Sequence, residues 1–255
     1  MTDENQLYNT VAPLANVVRL RALVDRIQNR PHGLPGMGTF YGPSGFGKSM
    51  AGVYVANKFQ AVLVEVKSVW TIKKLCQAIL KELGVPAAST GSEMLDQICE
   101  ALAIANVPLL IDEADHLVKR KMIEIVRDIH DGSGAPVILI GEELLPQKLR
   151  VWERVHGRML DWVPAQPGDI ADVGHLARLY AREITVEADL QAKLLTASHG
   201  SIRRIVVNLE RIREFAAIKG MKSVGLDAWG RQQFFTGDAP EIRRFGEVAL
   251  GRRAG

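Results

Sequence analysis

The segment Gly42-Pro43-Ser44-Gly45-Phe46-Gly47-Lys48-Ser49 constrains the fold more than any other stretch, because it fits the pattern G-x-x-x-x-G-K-[ST]. Its three glycines let the backbone curl until successive N–H groups point at one anion. In that geometry Lys48 reaches the β- and γ-phosphates of a nucleotide, and the Ser49 hydroxyl can ligate Mg2+. The flanks agree. Met37–Tyr41 reads as a short strand entering the loop. Ser49–Phe59 reads as a helix leaving it, whose N-terminal dipole adds to the anion site. A glycine-rich turn with a chance lysine would lack this strand–loop–helix setting.

Apolar runs at 38–41, 61–66, 108–111, 137–140 and 159–163 alternate with helical patterns at about 49–59, 70–83, 92–105, 117–130 and 143–155. Strands that are almost entirely apolar and separated by helices predict an α/β fold, a five-stranded parallel sheet sandwiched by helices. Thr90-Gly91-Ser92-Glu93 predicts a capping box at one helix start. The expected organisation is an N-terminal helix and linker over 1–36 and a nucleotide-binding domain over 37–165. A helical lid with no strand follows over 166–235, and a basic, mobile tail over 236–255. The lid helices are expected at about 168–183, 187–198, 201–218 and 226–235.

Charge is modest overall, +3, but uneven. From Gly200 onward eleven basic residues face six acidic ones, leaving the preceding 199 residues acidic by two. Such an end suits an anionic partner and equally suits a solvated helical surface. No apolar run approaches the ~20 residues that span a bilayer, so no membrane partner is expected. The polar, acidic start Met1-Thr2-Asp3-Glu4-Asn5 is unlike a secretory signal, and the expected location is the cytoplasm. Cys76 and Cys99, both in helical patterns, read as reduced structural thiols.

The second informative run is Val107-Pro108-Leu109-Leu110-Ile111-Asp112-Glu113-Ala114-Asp115, a buried strand ending in acids 64 residues after Lys48. Two strand-and-helix units fill that interval, so the acids can return beside the phosphates. Asp112 would complete the Mg2+ shell, and Glu113 would orient or deprotonate an attacking water. A strand end with solvated carboxylates is the plainer reading, but the phosphate loop favours hydrolysis.

Together these motifs resemble the AAA+ ATPases over roughly residues 14–218. The resemblance implies ATP and Mg2+ as ligands and adds further site residues. Gly200-Ser201-Ile202-Arg203 looks like the lid motif whose arginine senses the γ-phosphate, which implies Arg203 rather than its neighbour Arg204. The family also supplies an arginine finger from an adjacent subunit, just before the fifth strand. Arg154 and Arg158 stand there. Arg158, which directly precedes the strand, is slightly favoured, although either could instead pair with Glu153 or Asp161. The family usually places a neutral polar residue after the fourth strand. Here Glu142 stands at that point, and a third carboxylate would repel the γ-phosphate.

Within the superfamily the chain resembles the transposition helpers: the phage Mu target-selection B protein and the IstB-like and TniB-like ATPases. The pieces that carry this are Arg19–Arg30, Gly42-Pro43-Ser44-Gly45, Asp112–Leu117, Leu139–Leu144 and the single short lid. The resemblance implies a sequence-tolerant ATPase that assembles as a ring or helical filament on duplex DNA, selects target DNA and activates a transposase. Host cytoplasm would be its location if phage-encoded. Implied backbone contacts are Lys67, Thr71, Lys73 and Lys74 in one cluster and Lys119, Arg120 and Lys121 in another. Both clusters are also compatible with plain solvated helix faces. Alternative readings are an ATPase acting on a protein partner (the ExeA-like secretion type or a remodeller), a slow nucleotide switch, and an origin-recognition-like ATPase.

Overall fold

The computed structural model describes residues 14–237; the first thirteen residues and most of the tail expected at 236–255 lie outside the described residues. Five strands, β1 (Met37–Tyr41), β2 (Val62–Glu65), β3 (Leu109–Asp112), β4 (Val137–Gly141) and β5 (Met159–Pro164), form one sheet in the order β2-β3-β4-β1-β5. All four pairings are parallel. β3 and β4 are buried along their whole length, which accounts for their unbroken apolar sequence. Alternation of side chains then sorts the core into two halves. Phe40, Leu110, Ile138 and Ile140 pack on one face. Met37, Leu109, Ile111, Val137 and Leu139 pack on the other.

The first face is covered by α1 (Ala15–Gln28), α2 (Lys48–Phe59) and the helices that follow the sheet. The second is covered by α3 (Ile72–Glu82), α4 (Gly91–Ala105), α5 (Asp115–Lys119), α6 (Glu124–Ser133), α7 (Leu145–Leu149) and α8 (Glu153–His156). Past Pro164 come α9 (Ile170–Tyr180), α10 (Ala188–Ser198), α11 (Ile202–Lys219) and α12 (Leu226–Trp229). Local signals start several of these. Thr90 and Glu93 form the expected capping box of α4, and Asp169 and Asp172 form another at α9. Each cap contributes about 1 kcal/mol.

Four expectations needed correction. The helix expected at 117–130 is broken into α5 and α6, because Lys121 adopts a left-handed φ of 56° and Met122 N–H closes back on Leu117 O at 2.8 Å. The apolar rhythm runs through that break, so periodicity alone does not reveal it. The helix expected at 143–155 is likewise the two short helices α7 and α8. The one expected at 226–235 stops at Trp229, where Gly230 takes a φ of 59°. The lid also contains a parallel pair, β6 (Thr185–Val186) with β7 (Ser223–Val224). Two residues are too few to leave an alternating pattern.

One side chain ties these parts together. Asn16, 5% exposed, donates through Nδ2 to the carbonyls of Phe46 and Gln166, both at 2.8 Å, and accepts Gln166 N–H at 2.9 Å. The start of α1, the glycine-rich loop and the exit from β5 therefore meet at one amide.

Candidate active site

Strand order decides what can meet. β4 lies between β1 and β3, and all run the same way, so the loop after β1, the end of β4 and the acids ending β3 are neighbours. Two inter-strand steps cover roughly 10 Å. Open parallel sheets bind ligands in this crevice beyond the strand ends.

Gly45 and Gly47 adopt φ of 85° and 80°, the left-handed conformations that curl the loop. A Cβ on Gly45 would also lie 2.6 Å from Ser201 Oγ, so only glycine fits. Gly47 caps α2, and Lys48 is its first residue. Lys48 Nζ donates to the carbonyls of Gly42 and Pro43 at 2.7 and 2.8 Å. Burial lowers its pKa, opposed by Asp112, Glu113, Asp115 and Glu142. A cavity of about 350 Å³ opens here, lined by Ser44, Gly45, Gly47, Lys48, Ser49, Asp112, Glu113, Glu142 and Arg203 among others.

The acids sit on a turn that the backbone holds under strain. Asp112 is 6% exposed, and its Oδ1 accepts the Glu113 N–H at 2.8 Å. Glu113 takes a φ of 55°, a conformation costing a side-chain-bearing residue about 1–2 kcal/mol. The Ala114 N–H to Ile140 O bond, 2.9 Å, holds it there. Burial, and then the charge of Asp112, raise the Glu113 pKa, against the lowering influence of His116 and Lys48. Asp115, 7% exposed, fastens the turn to the end of β4. Its Oδ2 accepts the Glu142 N–H and its Oδ1 accepts Lys148 Nζ, both at 2.6 Å. Lys148 Nζ also lies 3.3 Å from Glu142 Oε2. A Cβ on Gly141 would come within 2.3 Å of Asp115 Oδ2, so this arrangement requires glycine there.

The lid reaches the loop through the start of α11. Arg203 N–H and Ser201 Oγ donate to Gly45 O at 3.1 and 3.4 Å, and Arg203 Nη1 approaches Ser44 Oγ at 3.4 Å. Arg204 points elsewhere, with Nε 3.0 Å from where a Cβ on Gly237 would be.

The other expected residues lie away from this cavity. Arg154 and Arg158 stand at the opposite ends of the strands, one strand length of roughly 20 Å away, so neither can serve its own cavity. Arg158 pairs with neither Glu153 nor Asp161. Its Nε and Nη2 grip Asp131 at 2.7 and 3.0 Å, holding that carboxyl below the usual range. Asp161 pairs with Arg26 at 2.5 Å. Arg154 is exposed and forms no ion pair among the described residues. Of the two basic clusters, Lys67 pairs with Glu65, Thr71 caps α3, and Lys73 Nζ donates to Ser89 O at 2.9 Å. Arg120 Nη1 donates to Ser68 O at 2.8 Å, which joins the clusters. Lys74, Lys119 and Lys121 are exposed, with no ion pair among the described residues.

The donor set fits a magnesium-bound nucleotide. No group of three His, Cys, Asp or Glu side chains among the described residues could cage a metal. Ser49 and Asp112 instead offer one hydroxyl and one carboxylate, the sparse oxygen set typical of Mg2+ completed by phosphate and water. Sequence reasoning missed Lys148 and Asn16. Neither belongs to a motif, although Lys148 is the first cation after Glu142 and could have been weighed as its counter-charge.

The sheet order and the glycine-rich loop together give a fold of P-loop AAA+ architecture. Residues 32–149 match the family model described as "AAA domain", slightly less than half the chain. No curated protein matches the sequence. Similar solved structures include the Aeropyrum pernix Orc1 protein in complex with DNA, at 17% identity and TM-score 0.59, covering 84% of this chain and 62% of that one. Another is Cdc6p from Pyrobaculum aerophilum, at 14% and 0.57, covering 88% and 64%. A third is a single-residue variant of Thermotoga maritima RuvB, at 16% and 0.58, covering 84% and 66%. The chain thus spans slightly less than two thirds of each, and the likeness is one of fold. No helix among the described residues is long and apolar enough to cross a membrane.

Proposed function

We propose that this protein hydrolyses ATP while assembled on duplex DNA, and that it selects target DNA for a transposase. Lys48 and the loop N–H groups bind the triphosphate, and Arg203 contacts it from the lid. Ser49 and Asp112 would hold Mg2+, which would supply positive charge against the phosphates. Water oxygen bonds to the γ-phosphorus while the bond to the β–γ bridging oxygen breaks. ADP leaves with that electron pair, and Glu113 takes the water proton. The finger comes from Arg154 of a neighbouring subunit, which forms no ion pair among the described residues, whereas Arg158 would first have to release Asp131. The end of the sheet at Pro164 supports taking residues 37–165 as the nucleotide domain and 166–235 as the lid.

Lys48→Ala should weaken ATP binding about 10- to 100-fold, the effect of losing a charge-assisted hydrogen bond. Unchanged affinity in a nucleotide titration would contradict the loop assignment.

The observation that supports DNA as partner is the Arg120–Ser68 bond, which sets the segment leading into α3, where exposed Lys74 lies, beside the one that carries exposed Lys119 and Lys121. ATP-bound protein should bind unrelated duplexes with similar affinity, falling steeply with salt. Replacing Lys74 and Lys121 by Glu should lower the slope of log affinity against log salt by about two. An unchanged slope would turn this surface away from DNA. Strong preference for one sequence would favour an origin-recognition-like role over target selection.

A further inference from the structure

Lys148 has no part in the chemistry described so far, yet it is the only cation bonded to the acid turn among the described residues. It projects from α7, whose Leu145 and Leu149 are fully buried and fix the helix on the second face of the sheet. Its ammonium bridges buried Asp115, at 2.6 Å, and the more exposed Glu142, at 3.3 Å. Those contacts raise its pKa, so it stays charged. A second cavity of about 430 Å³, lined by Glu113, Asp115, Glu142 and Lys148 with His116 and Lys119, adjoins the first. Glu113 and Glu142 line both.

This geometry answers a physical difficulty. Glu142 stands where a triphosphate and the Glu113 carboxylate crowd a small volume, and an unpaired third carboxylate would be repelled from it. Beside Lys148 its charge is partly offset, since the one ammonium serves both carboxylates, while one Glu142 carboxylate oxygen remains free to accept a hydrogen bond. Asp115 keeps the ammonium in place, because releasing it would leave a buried carboxylate without its ion partner.

We infer that Lys148 is a positioning residue for hydrolysis: by pairing with Glu142 it keeps that carboxylate beside the γ-phosphate as acceptor for the attacking water. The inference rests on the hydrolysis reading above. Lys148→Met should lower kcat about 10- to 100-fold, as expected for a misplaced nucleophile. KM and directly measured ATP affinity should stay within about twofold, because the phosphate-binding donors are intact. Lys148→Arg should retain most of the turnover. Adding Glu142→Gln to Lys148→Met removes the uncompensated charge nearest the γ-phosphate and should recover much of the loss in kcat, while the unpaired Asp115 remains.

Turnover would be measured with and without duplex DNA, well below each variant's melting temperature. An unchanged kcat in Lys148→Met, an equal loss of ATP affinity, or no recovery with Glu142→Gln would overturn the inference while leaving hydrolysis standing. A parent protein that binds ATP without turning it over would overturn the hydrolysis reading, and this inference with it.

Discussion

Glu113→Gln should bind ATP as the parent does and turn it over about 10²- to 10⁴-fold more slowly, the usual contribution of a positioned general base. The substitution keeps shape and hydrogen-bonding capacity, and glutamine tolerates the φ of 55° no worse than glutamate. Proton-accepting ability is lost, together with one negative charge beside Asp112 and Lys48. Single-turnover hydrolysis with radiolabelled ATP separates this step from product release. Equal rates would strip Glu113 of its role and leave the strained turn without an explanation. A variant that lost ATP affinity in parallel would instead point to a folding or binding defect.

Arg154→Ala should cost more, about 10³- to 10⁵-fold in the assembled state, if its guanidinium meets the charge developing on a neighbour's γ-phosphate. The same substitution at Arg158 breaks the Asp131 pair, which is exposed and worth little, so turnover should change far less. Mixing supplies the decisive measurement. A Glu113→Gln subunit has a dead site and a sound finger, whereas an Arg154→Ala subunit has the reverse. In a head-to-tail assembly about a quarter of the random interfaces unite a sound site with a sound finger. Equal mixtures should therefore recover up to that share of parent turnover, although each variant alone is nearly inactive. No recovery would remove the finger from Arg154. Parent-like turnover in Arg154→Ala alone would do the same and return attention to Arg158.

The parts of this molecule that could be read from sequence were those carried by local pattern. Gly42–Ser49 has a backbone requirement that only glycine meets, and the strand of Leu109–Asp112 is too apolar to be anything but buried. Their convergence on one cavity followed from counting strand-and-helix units. Long-range contacts were not legible. Nothing local says that Arg158 grips Asp131 instead of Asp161, because the choice depends on α6 ending beside β5. The Lys148 bridge depends on α7 being separate from α8, and sequence reasoning merged the two. Lys67 and Lys73 looked like free cations until Glu65 and the Ser89 carbonyl were brought near them.

The three hydrogen bonds of Asn16 limit how the lid can travel. Because Gln166 is held on both its N–H and its carbonyl, rigid anchorage extends beyond the end of β5, and the ring of Pro167 fixes the next φ as well. Gly168 N–H in turn bonds Gly200 O at 2.8 Å, so that end already travels with α11. The lid is also tied to the start of α1, through Ala15 N–H on Asp172 Oδ1 at 3.0 Å, and to the glycine-rich loop, through Arg203 N–H on Gly45 O at 3.1 Å. Displacing the lid would therefore pull directly on the backbone that cradles the phosphates.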